Sequence, residues 1–354
     1  MKEVVFDTNT VHNSYRVLIG DRLEAFSDEL ISCLRGKRVM ILTDSGTREN
    51  SFDAIIKLLR ASGVGFETAL IPSGEQAKSF DALQAVLKAL ADGGFGRNDI
   101  MINLGGGVVG DLGGFAAAIY MRGINSINIP TTLLSMIDSS MGGKTGIDFL
   151  GIKNAVGAFH QPVLVLCACE FLSTLSPREL RSGFGEALKY YCISGSGSIK
   201  NALLSGTVTP DFIRECCMIK REYVTDDVLD SGKRRILNLG HTFGHAFEAA
   251  SGFSLTHGEA VCMGLIAAAR FGERLGITQN GAALEIEALS ASIGLGTDYS
   301  EYSVQASAFL MHDKKSASGE IEMAFLERIG KPFLKRVSLG SAASFLTEGA
   351  GYGA

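Results

Sequence analysis

The segment of residues 237–259 reads LNLGHTFGHAFEAASGFSLTHGE and contains three of the six histidines of the chain. His241 and His245 are four residues apart, so on a helix they would lie on one face. After a short Ser/Gly break, a T-x-x-E pattern at residues 256–259 predicts the capped start of a second helix, with His257 in its first turn. The segment therefore predicts two consecutive helices that gather three imidazoles.

Imidazole is the commonest side-chain metal ligand, so three of them in one segment favour a metal site. Two histidines at helical spacing are also common as polar residues on a half-buried face, and the segment alone is compatible with both interpretations. A carboxylate ligand is lacking, and Glu186 in the helical pattern of residues 178–193 is a candidate. A helical ion pair between Glu186 and Lys189 is the simpler interpretation of that pattern. A His/His/Glu set would leave an open position on zinc for a substrate oxygen.

Size and composition restrict the class of protein. The 354 residues suffice for two domains, and with 46% hydrophobic and 20% charged residues the composition is that of an ordinary globular protein. The net charge of −5 argues against a nucleic-acid partner. No apolar run approaches the ~18 residues of a membrane helix, and the N-terminal residues lack a secretory pattern. Seven cysteines without a C-x-x-C pair are expected to be reduced, so we expect a cytoplasmic protein.

Residues 1–170 alternate predicted strands and helices, as βαβ units do. Strands are predicted at residues 38–43, 66–71, 100–104 and 126–129, and a helix at Phe80–Asp92. Each strand ends at polar residues or glycines. In an open α/β sheet, ligands bind at that edge.

Residues 171–354 are predicted to be mainly helical. Helical patterns cover residues 178–193, 211–225, 241–250, 257–274 and 281–294, and a strand is predicted at residues 321–326. We expect the two halves to meet in a cleft, which is a preferred place for a ligand site.

The glycine-rich segment GGGVVGD at residues 105–111 follows a predicted strand and contains G-x-G-x-x-G. Such a turn lets a pyrophosphate approach the backbone at a helix N-terminus. A turn needed only for packing is the alternative, because the strand is not the first of the sheet and the usual acidic residue is missing. Asp44, Glu75 and Lys78 follow two other strands and could bind ribose hydroxyls or be surface polar residues.

Lys144 lies between glycines in DSSMGGKTG at residues 138–146. This is not a Walker A loop, because Asp138 stands where the leading glycine would be. Together with Arg122 and Lys153, however, Lys144 places three cations in a largely apolar stretch, which favours anion binding over a solvated face.

A polar stripe is predicted if one helix runs through residues 234–245. It would consist of Arg234, Asn238, His241 and His245. A stripe this polar beside several apolar residues is costly to bury unless it faces a ligand.

The motifs of the whole chain resemble those of the 3-dehydroquinate synthase family. YMRG, PTTLL, DSSMGGKTG, GIKN, GEALKY, RRILNLGHTFGHAFE, LTHGEAV and HDKK occur in the family's order at compatible spacing over residues 38–330. The resemblance implies an α/β, Rossmann-like NAD-binding domain at residues 1–170 and a mainly α-helical metal- and substrate-binding domain at residues 171–354. It also implies a homodimer that binds NAD⁺ and one divalent ion, zinc or cobalt.

The resemblance also implies roles for individual residues. The metal ligands would be Glu186, His241 and His257. The NAD-binding residues would be Asp44, Glu75, Lys78, Gly106, Gly107, Val108, Asp111, Thr131, Thr132 and Lys153. The substrate contacts would be Arg122, Lys144, Asn154, Lys189, Arg234, Asn238, His245, Lys314 and Lys315. Catalytic roles would fall to Asp138, Lys144, Asn154, Lys189 and His245.

The implied reaction converts 3-deoxy-D-arabino-heptulosonate 7-phosphate to 3-dehydroquinate and phosphate. Its steps are transient oxidation by NAD⁺, phosphate elimination, reduction, ring opening and an intramolecular aldol. The planar fork of Arg234 would suit the substrate carboxylate. The alternatives are a sister sugar-phosphate cyclase such as a 2-deoxy-scyllo-inosose synthase, whose substrate lacks a carboxylate, and a metal-dependent polyol dehydrogenase, which would accumulate NADH.

Overall fold

The computed structural model describes residues 1–6, 14–312 and 319–349. Within them the strands are β1 (Lys2–Phe6), β2 (Tyr15–Gly20), β3 (Val39–Asp44), β4 (Phe66–Ile71), β5 (Ile100–Gly105), β6 (Asn125–Pro130), β7 (Lys144–Phe149), β8 (Ile152–Phe159), β9 (Leu164–Ala168), β10 (Glu320–Arg328) and β11 (Lys331–Ser338). The α-helices are α1 (Ser27–Leu34), α2 (Ser45–Asn50), α3 (Phe52–Ala61), α4 (Phe80–Asp92), α5 (Gly107–Ile119), α6 (Pro177–Ser194), α7 (Gly197–Ser205), α8 (Pro210–Val224), α9 (His241–Ala250), α10 (His257–Arg274), α11 (Ala282–Ser292), α12 (Ser303–His312) and α13 (Leu339–Gly349). Apart from a continuous helix through residues 234–245, every strand and helix predicted above is present, with ends that agree to within two residues.

The chain divides into two compact units. The first comprises Met1–Ser176 and Val208–Leu229, and the second comprises Pro177–Thr207 and Asp230–Ala354. This division differs from the predicted single boundary after residue 170, because α8 packs on β1 and β2 of the first unit. The helical periodicity of α8 indicates that one of its faces is apolar, but it does not indicate which of the two units that face packs against.

The first unit contains a seven-stranded sheet with the strand order β1-β2-β9-β6-β5-β3-β4. Only β1 and β2 are antiparallel neighbours in this sheet, and the other pairs are parallel. β3 and β5 are largely apolar and almost entirely buried, as expected for central parallel strands. The carboxyl ends of β3, β5 and β6 lie side by side, since Thr43 pairs with Leu104 and Gly105 with Pro130. The predicted α/β fold class of the N-terminal part is therefore confirmed.

Two antiparallel hairpins stand apart from this sheet. β7 and β8 form one in the first unit, and β10 and β11 form the other in the second unit, which is otherwise helical. Among the described residues, no helix combines the length and the apolar character that crossing a membrane would require.

The predicted continuous helix through residues 234–245 is wrong. Residues Lys233–Asn238 form a short 3-10 helix, and α9 begins only at His241. Gly240 lies between them with a φ of 78°, a left-handed conformation that interrupts helical hydrogen bonding. Arg234 is consequently buried and Asn238 exposed, so the predicted polar stripe does not share one helical face.

Close backbone contacts join α6, α9 and α10 in the second unit. A Cβ atom on Gly258 would lie 1.8 Å from the backbone oxygen of Ser182, and one on Gly185 would lie 2.3 Å from that of Gly258. A Cβ atom on Gly264 would lie 2.0 Å from the backbone oxygen of Gly240. Because real Cβ atoms do not come this close to backbone, only glycine permits these helix separations.

We expect Gly258→Ala to destabilise the protein by roughly 1–3 kcal/mol or more, because the added methyl group would force α6 and α10 apart. The measurement is the midpoint of urea unfolding followed by circular dichroism. Gly197→Ala, in the first turn of α7, is the matched control, since a Cβ atom there would meet no described atom within 4 Å beyond its chain neighbours and its own helix backbone. Equal stability of the two variants would contradict the close-contact interpretation.

Candidate active site

Glu186, His241 and His257 converge in the second unit. Their candidate ligand atoms all lie within 4.8 Å of one another. The Oε2 atom of Glu186 is 4.0 Å from Nε2 of His241 and 3.9 Å from Nε2 of His257. Each of the three residues lies on a different helix, beside a glycine that makes one of the close contacts described above. The helix packing therefore brings together the three residues that we predicted as metal ligands.

The carboxylate of Glu186 fits a site for a divalent cation. Its side chain is fully buried, and among the described residues neither of its oxygens accepts a hydrogen bond. The ammonium group of Lys189, which is itself 1% exposed, lies beside Oε1. A buried carboxylate without hydrogen bonds is costly unless positive charge compensates it. A metal ion between this carboxylate and two imidazoles would add to the positive charge of Lys189, and three protein ligands would leave an open position.

His241 is held in the form that binds a metal. Burial lowers the pKa of His241 well below its ordinary value, and the nearby charge of Lys189 lowers it further. The Nδ1 atom lies 3.2 Å from the carbonyl oxygen of Leu239, to which an Nδ1–H group can donate. The imidazole is then neutral, with the lone pair on Nε2, which faces Glu186.

His245 follows His241 by one helical turn and is exposed. The ring centroids of the two residues are 5.3 Å apart, and the ring of His245 is 6.0 Å from that of His257. His245, Glu248 and His257 form a second group of possible ligand atoms within 4.8 Å of one another. Of the two groups, the one that contains Glu186 is the less exposed. The assignment of His245 to the substrate stays a prediction.

The other predicted substrate residues of the second unit differ in their surroundings. Lys189 and Arg234 are buried, with 1% and 3% of the residue exposed, and Asn238 is exposed. Lys314 and Lys315 lie outside the described residues.

The predicted nucleotide site lies at the carboxyl edge of the sheet in the first unit. Asp44 ends β3 and accepts hydrogen bonds from the backbone N–H of Thr47 at 3.0 Å and from the hydroxyl of Ser73 at 2.7 Å. Gly106 connects β5 to Gly107, the first residue of α5, and among the described residues no side chain caps that helix. Its first N–H groups are therefore available to an anionic group, as a dinucleotide turn requires.

Two further features support the glycine turn as a cradle. A Cβ atom on Gly106 would lie 3.2 Å from Cγ2 of Thr132, and one on Gly107 would lie 3.1 Å from the hydroxyl of Ser139. Side chains at either glycine would crowd this turn. Thr131 and Thr132 follow β6, the strand next to β5 in the sheet, so they belong to the same edge. Val108 and Asp111 lie in the first turns of α5.

Lys78 connects several of the predicted nucleotide and substrate residues. It is 5% exposed, and its Nζ atom lies 2.9 Å from Oδ2 of Asp111 and 3.6 Å from Oε1 of Glu75. Its ammonium group also bonds to the side-chain oxygen of Asn154, and Lys153 lies 3.5 Å from Glu75. Burial alone would lower the pKa of Lys78, but the charges of Asp111 and Glu75 outweigh it and raise the pKa above its ordinary value. Lys78 is thus a fixed positive charge in this network.

The three predicted phosphate contacts come from different elements of the first unit. Arg122 lies in the 3-10 turn Tyr120–Arg122, Lys144 begins β7, and Asn154 lies in β8. Arg122 and Asn154 have φ angles of 67° and 52°, a region that non-glycine residues rarely adopt and that is concentrated at functional sites. Their convergence on one phosphate stays a prediction.

Lys220 was not predicted from the sequence. It lies in α8, is 5% exposed, and donates to the carboxylate of Asp138 at 2.7 Å and to its backbone oxygen at 2.8 Å. Asp138 belongs to the one-turn π-helix Ser135–Ser139, a distortion that is frequent at functional sites. The apolar periodicity around Lys220 in α8 was the available signal, since it places this cation on the buried face.

Comparison with known proteins agrees with these features. Residues 68–182 match the sequence family described as 3-dehydroquinate synthase N-terminal, and residues 183–316 match that described as 3-dehydroquinate synthase C-terminal. A protein of Rhizobium rhizogenes named 3-dehydroquinate synthase is 37% identical over 353 residues, which cover 95% of this chain and 94% of that relative.

Two solved structures share the fold. ValA, a 2-epi-5-epi-valiolone synthase from Streptomyces hygroscopicus with NAD⁺ and Zn²⁺ bound, has a TM-score of 0.85 at 26% identity and covers 98% of this chain and 97% of its own. A 2-deoxy-scyllo-inosose synthase with carbaglucose-6-phosphate, NAD⁺ and Co²⁺ has a TM-score of 0.85 at 24% identity and covers 98% and 99%. These likenesses confirm the predicted fold class. With matches that span nearly its full length, the chain belongs to the 3-dehydroquinate synthase family.

Proposed function

We propose that this protein is a 3-dehydroquinate synthase, which converts 3-deoxy-D-arabino-heptulosonate 7-phosphate to 3-dehydroquinate and phosphate. The single observation that carries the proposal is the convergence of Glu186, His241 and His257 in a chain with relatives of that name over 95% of its length. The reaction would serve the shikimate pathway of aromatic amino acid biosynthesis.

Glu186, His241 and His257 would hold one divalent ion, zinc or cobalt. When bound, the ion would supply a Lewis acid that polarises a substrate oxygen. The buried ammonium group of Lys189 lies beside Glu186 and would keep a proton donor at the same place. His245, one turn from His241 and exposed, is suited to exchange a proton with a bound substrate.

The carboxyl edge of the sheet in the first unit would hold NAD⁺, which supplies reversible hydride transfer. Gly106, Gly107 and the N-terminus of α5 would receive the pyrophosphate, and Asp44 would receive ribose hydroxyls. The network of Glu75, Lys78, Asp111 and Lys153 would line the same ligand. Because the net reaction would not be a redox change, NAD⁺ would be needed only in catalytic amounts.

Recognition of the substrate would use two kinds of anion contact. Arg122, Lys144 and Asn154, with Lys314 or Lys315, would bind the phosphate. Arg234 is buried, so water would compete little for its guanidinium, which would suit bidentate binding of the carboxylate. A carboxylate contact favours 3-dehydroquinate synthase over the sister cyclases, whose sugar-phosphate substrates lack this group.

We further infer a cytoplasmic homodimer. The hairpin of β7 and β8 carries exposed apolar side chains, including Phe149 at 43%, Leu150 at 83% and Ile152 at 62% exposure. Such a patch is typical of an interface, and a second copy of the chain is the occupant that the family resemblance implies. All seven cysteines are free, as in a reducing compartment.

The proposed reaction predicts a distinctive product balance. With the heptulosonate phosphate, substoichiometric NAD⁺ and zinc, we expect one phosphate released for each substrate consumed and no accumulation of NADH absorbance. Phosphate release is followed with a coupled assay, and glucose 6-phosphate and sedoheptulose 7-phosphate serve as comparison substrates. Preferred turnover of either sugar would favour a sister cyclase, and net NADH formation would favour a polyol dehydrogenase.

The proposed roles of His257 as a metal ligand and of His245 as a substrate contact predict different metal contents of two variants. We expect His257→Ala to lose the bound ion as well as phosphate release, because a metal ligand is removed. We expect His245→Ala to retain about one zinc ion per chain while phosphate release falls. Metal content after gel filtration, measured by plasma mass spectrometry, separates the two. Loss of metal from His245→Ala together with its retention in His257→Ala would reverse the assignment.

The proposed carboxylate contact predicts a strong effect of a conservative change. We expect Arg234→Lys to raise KM for the heptulosonate phosphate by about 10- to 100-fold, because lysine cannot form the bidentate pair. Arg235→Lys is the matched control, since the side chain of Arg235 is 43% exposed and pairs with Glu322 at 2.8 Å. Steady-state kinetics that give both variants the KM of the unaltered protein would exclude Arg234 as the carboxylate contact.

A further inference from the structure

The imidazole of His257 lies between two carboxylates. Its Nε2 atom is 3.9 Å from Oε2 of Glu186, and its Nδ1 atom is 3.5 Å from Oε1 of Glu248. A neutral imidazole has one N–H group and one lone pair, so it can donate toward only one of these carboxylates. The side of the ring that carries the hydrogen therefore decides whether Nε2 can bind a metal.

We propose that Glu248 is a positioning residue that accepts the Nδ1–H of His257 and thereby keeps the lone pair on Nε2, directed at the metal. The proposal rests on the metal site of the proposed function. Metal-binding histidines usually donate their second N–H to a carboxylate or a carbonyl, which fixes the tautomer and the ring orientation. Glu248 supplies the carboxylate for this purpose.

The arrangement around His241 supports this assignment. His241 presents Nε2 to Glu186 at 4.0 Å, and its Nδ1 atom faces the carbonyl oxygen of Leu239 at 3.2 Å. Both histidines thus direct Nε2 at the same carboxylate and have an oxygen acceptor opposite Nδ1. The acceptor is a backbone carbonyl for one histidine and the carboxylate of Glu248 for the other.

The position of Glu248 is set by the fold. It is 2% exposed and lies seven residues after His241 in α9, so both residues point from the same face of the helix. Its backbone oxygen accepts hydrogen bonds from the N–H of Phe253 at 2.9 Å and the hydroxyl of Ser251 at 2.8 Å, where α9 ends. One helix therefore provides a ligand and also the group that orients a ligand on α10.

The distance of 3.5 Å is at the outer limit of a hydrogen bond. A small rotation of the imidazole would shorten it, and contacts of this kind commonly tighten when a site is filled. Glu248 is 2% exposed, so water competes little with the Nδ1–H group for its carboxylate.

The test compares zinc affinity, by competition with a chromogenic chelator, in the unaltered protein, Glu248→Ala and Glu248→Gln. We expect Glu248→Ala to weaken zinc binding by about 10- to 100-fold, as loss of such supporting groups commonly does. Glu248→Gln keeps the shape and an oxygen acceptor, so we expect it to restore a large part of the affinity. Glu285→Gln, which alters a carboxylate bonded to Tyr191 and Lys200 in the same unit, is the control and should keep full affinity.

A long-range ¹H–¹⁵N spectrum of the zinc-loaded protein provides an independent readout. We expect His257 to show a protonated Nδ1 and a metal-bound Nε2, with the Nδ1 resonance moved in Glu248→Gln. Unchanged zinc affinity in Glu248→Ala, or a metal-bound Nδ1, would overturn the proposal while leaving the metal site intact. Failure of the unaltered protein to bind zinc would instead reject the metal site itself, and this inference with it.

Discussion

The second unit depends on the close approach of three helices, which only glycines allow. Gly185 and Gly258 bring α6 against α10, and Gly240 and Gly264 bring the start of α9 against α10. Helices normally pack 8–10 Å apart because side chains separate them. At these glycines the backbone atoms of the two facing elements are in direct contact instead. Residues next to the contacts can therefore reach a common point with short side chains.

The same contacts explain why the candidate metal site is both buried and charged. Glu186, His241 and His257 each adjoin one of the contact glycines, so the packing that stabilises the helices also buries Glu186 fully and leaves the side chains of His241 and His257 12% and 29% exposed. Burial of the Glu186 carboxylate is unfavourable by itself. The ammonium group of Lys189 beside Oε1 offsets part of this free-energy cost. A buried charge that is unfavourable by itself, within a structure that is otherwise well packed, is typical of a functional site.

Much of the fold follows from sequence periodicity, and the exceptions have identifiable causes. The central strands β3 to β6 and helix α4 were predictable because apolar runs end at glycine or polar residues. The strands β1, β2, β7, β8, β9 and β11 were not predicted. In β7 and β8, glycine and polar residues interrupt the apolar run that would indicate a strand. The assignment of α8 to the first unit depends on contacts distant in sequence, which periodicity does not contain.

The candidate site was predictable in its residue types but not in the partition of its roles. His241 and His245 are equivalent in sequence, being four residues apart with similar neighbours. The difference arises from Gly240, whose left-handed conformation starts α9 at His241 and whose contact with Gly264 presses that end of the helix onto α10. The side chain of His241 is consequently 12% exposed, whereas His245, one turn further along, is exposed. Burial makes the first imidazole neutral and directs it at Glu186, and exposure leaves the second able to meet a ligand. A backbone conformation outside the histidine pair thus separates two residues that spacing alone cannot distinguish.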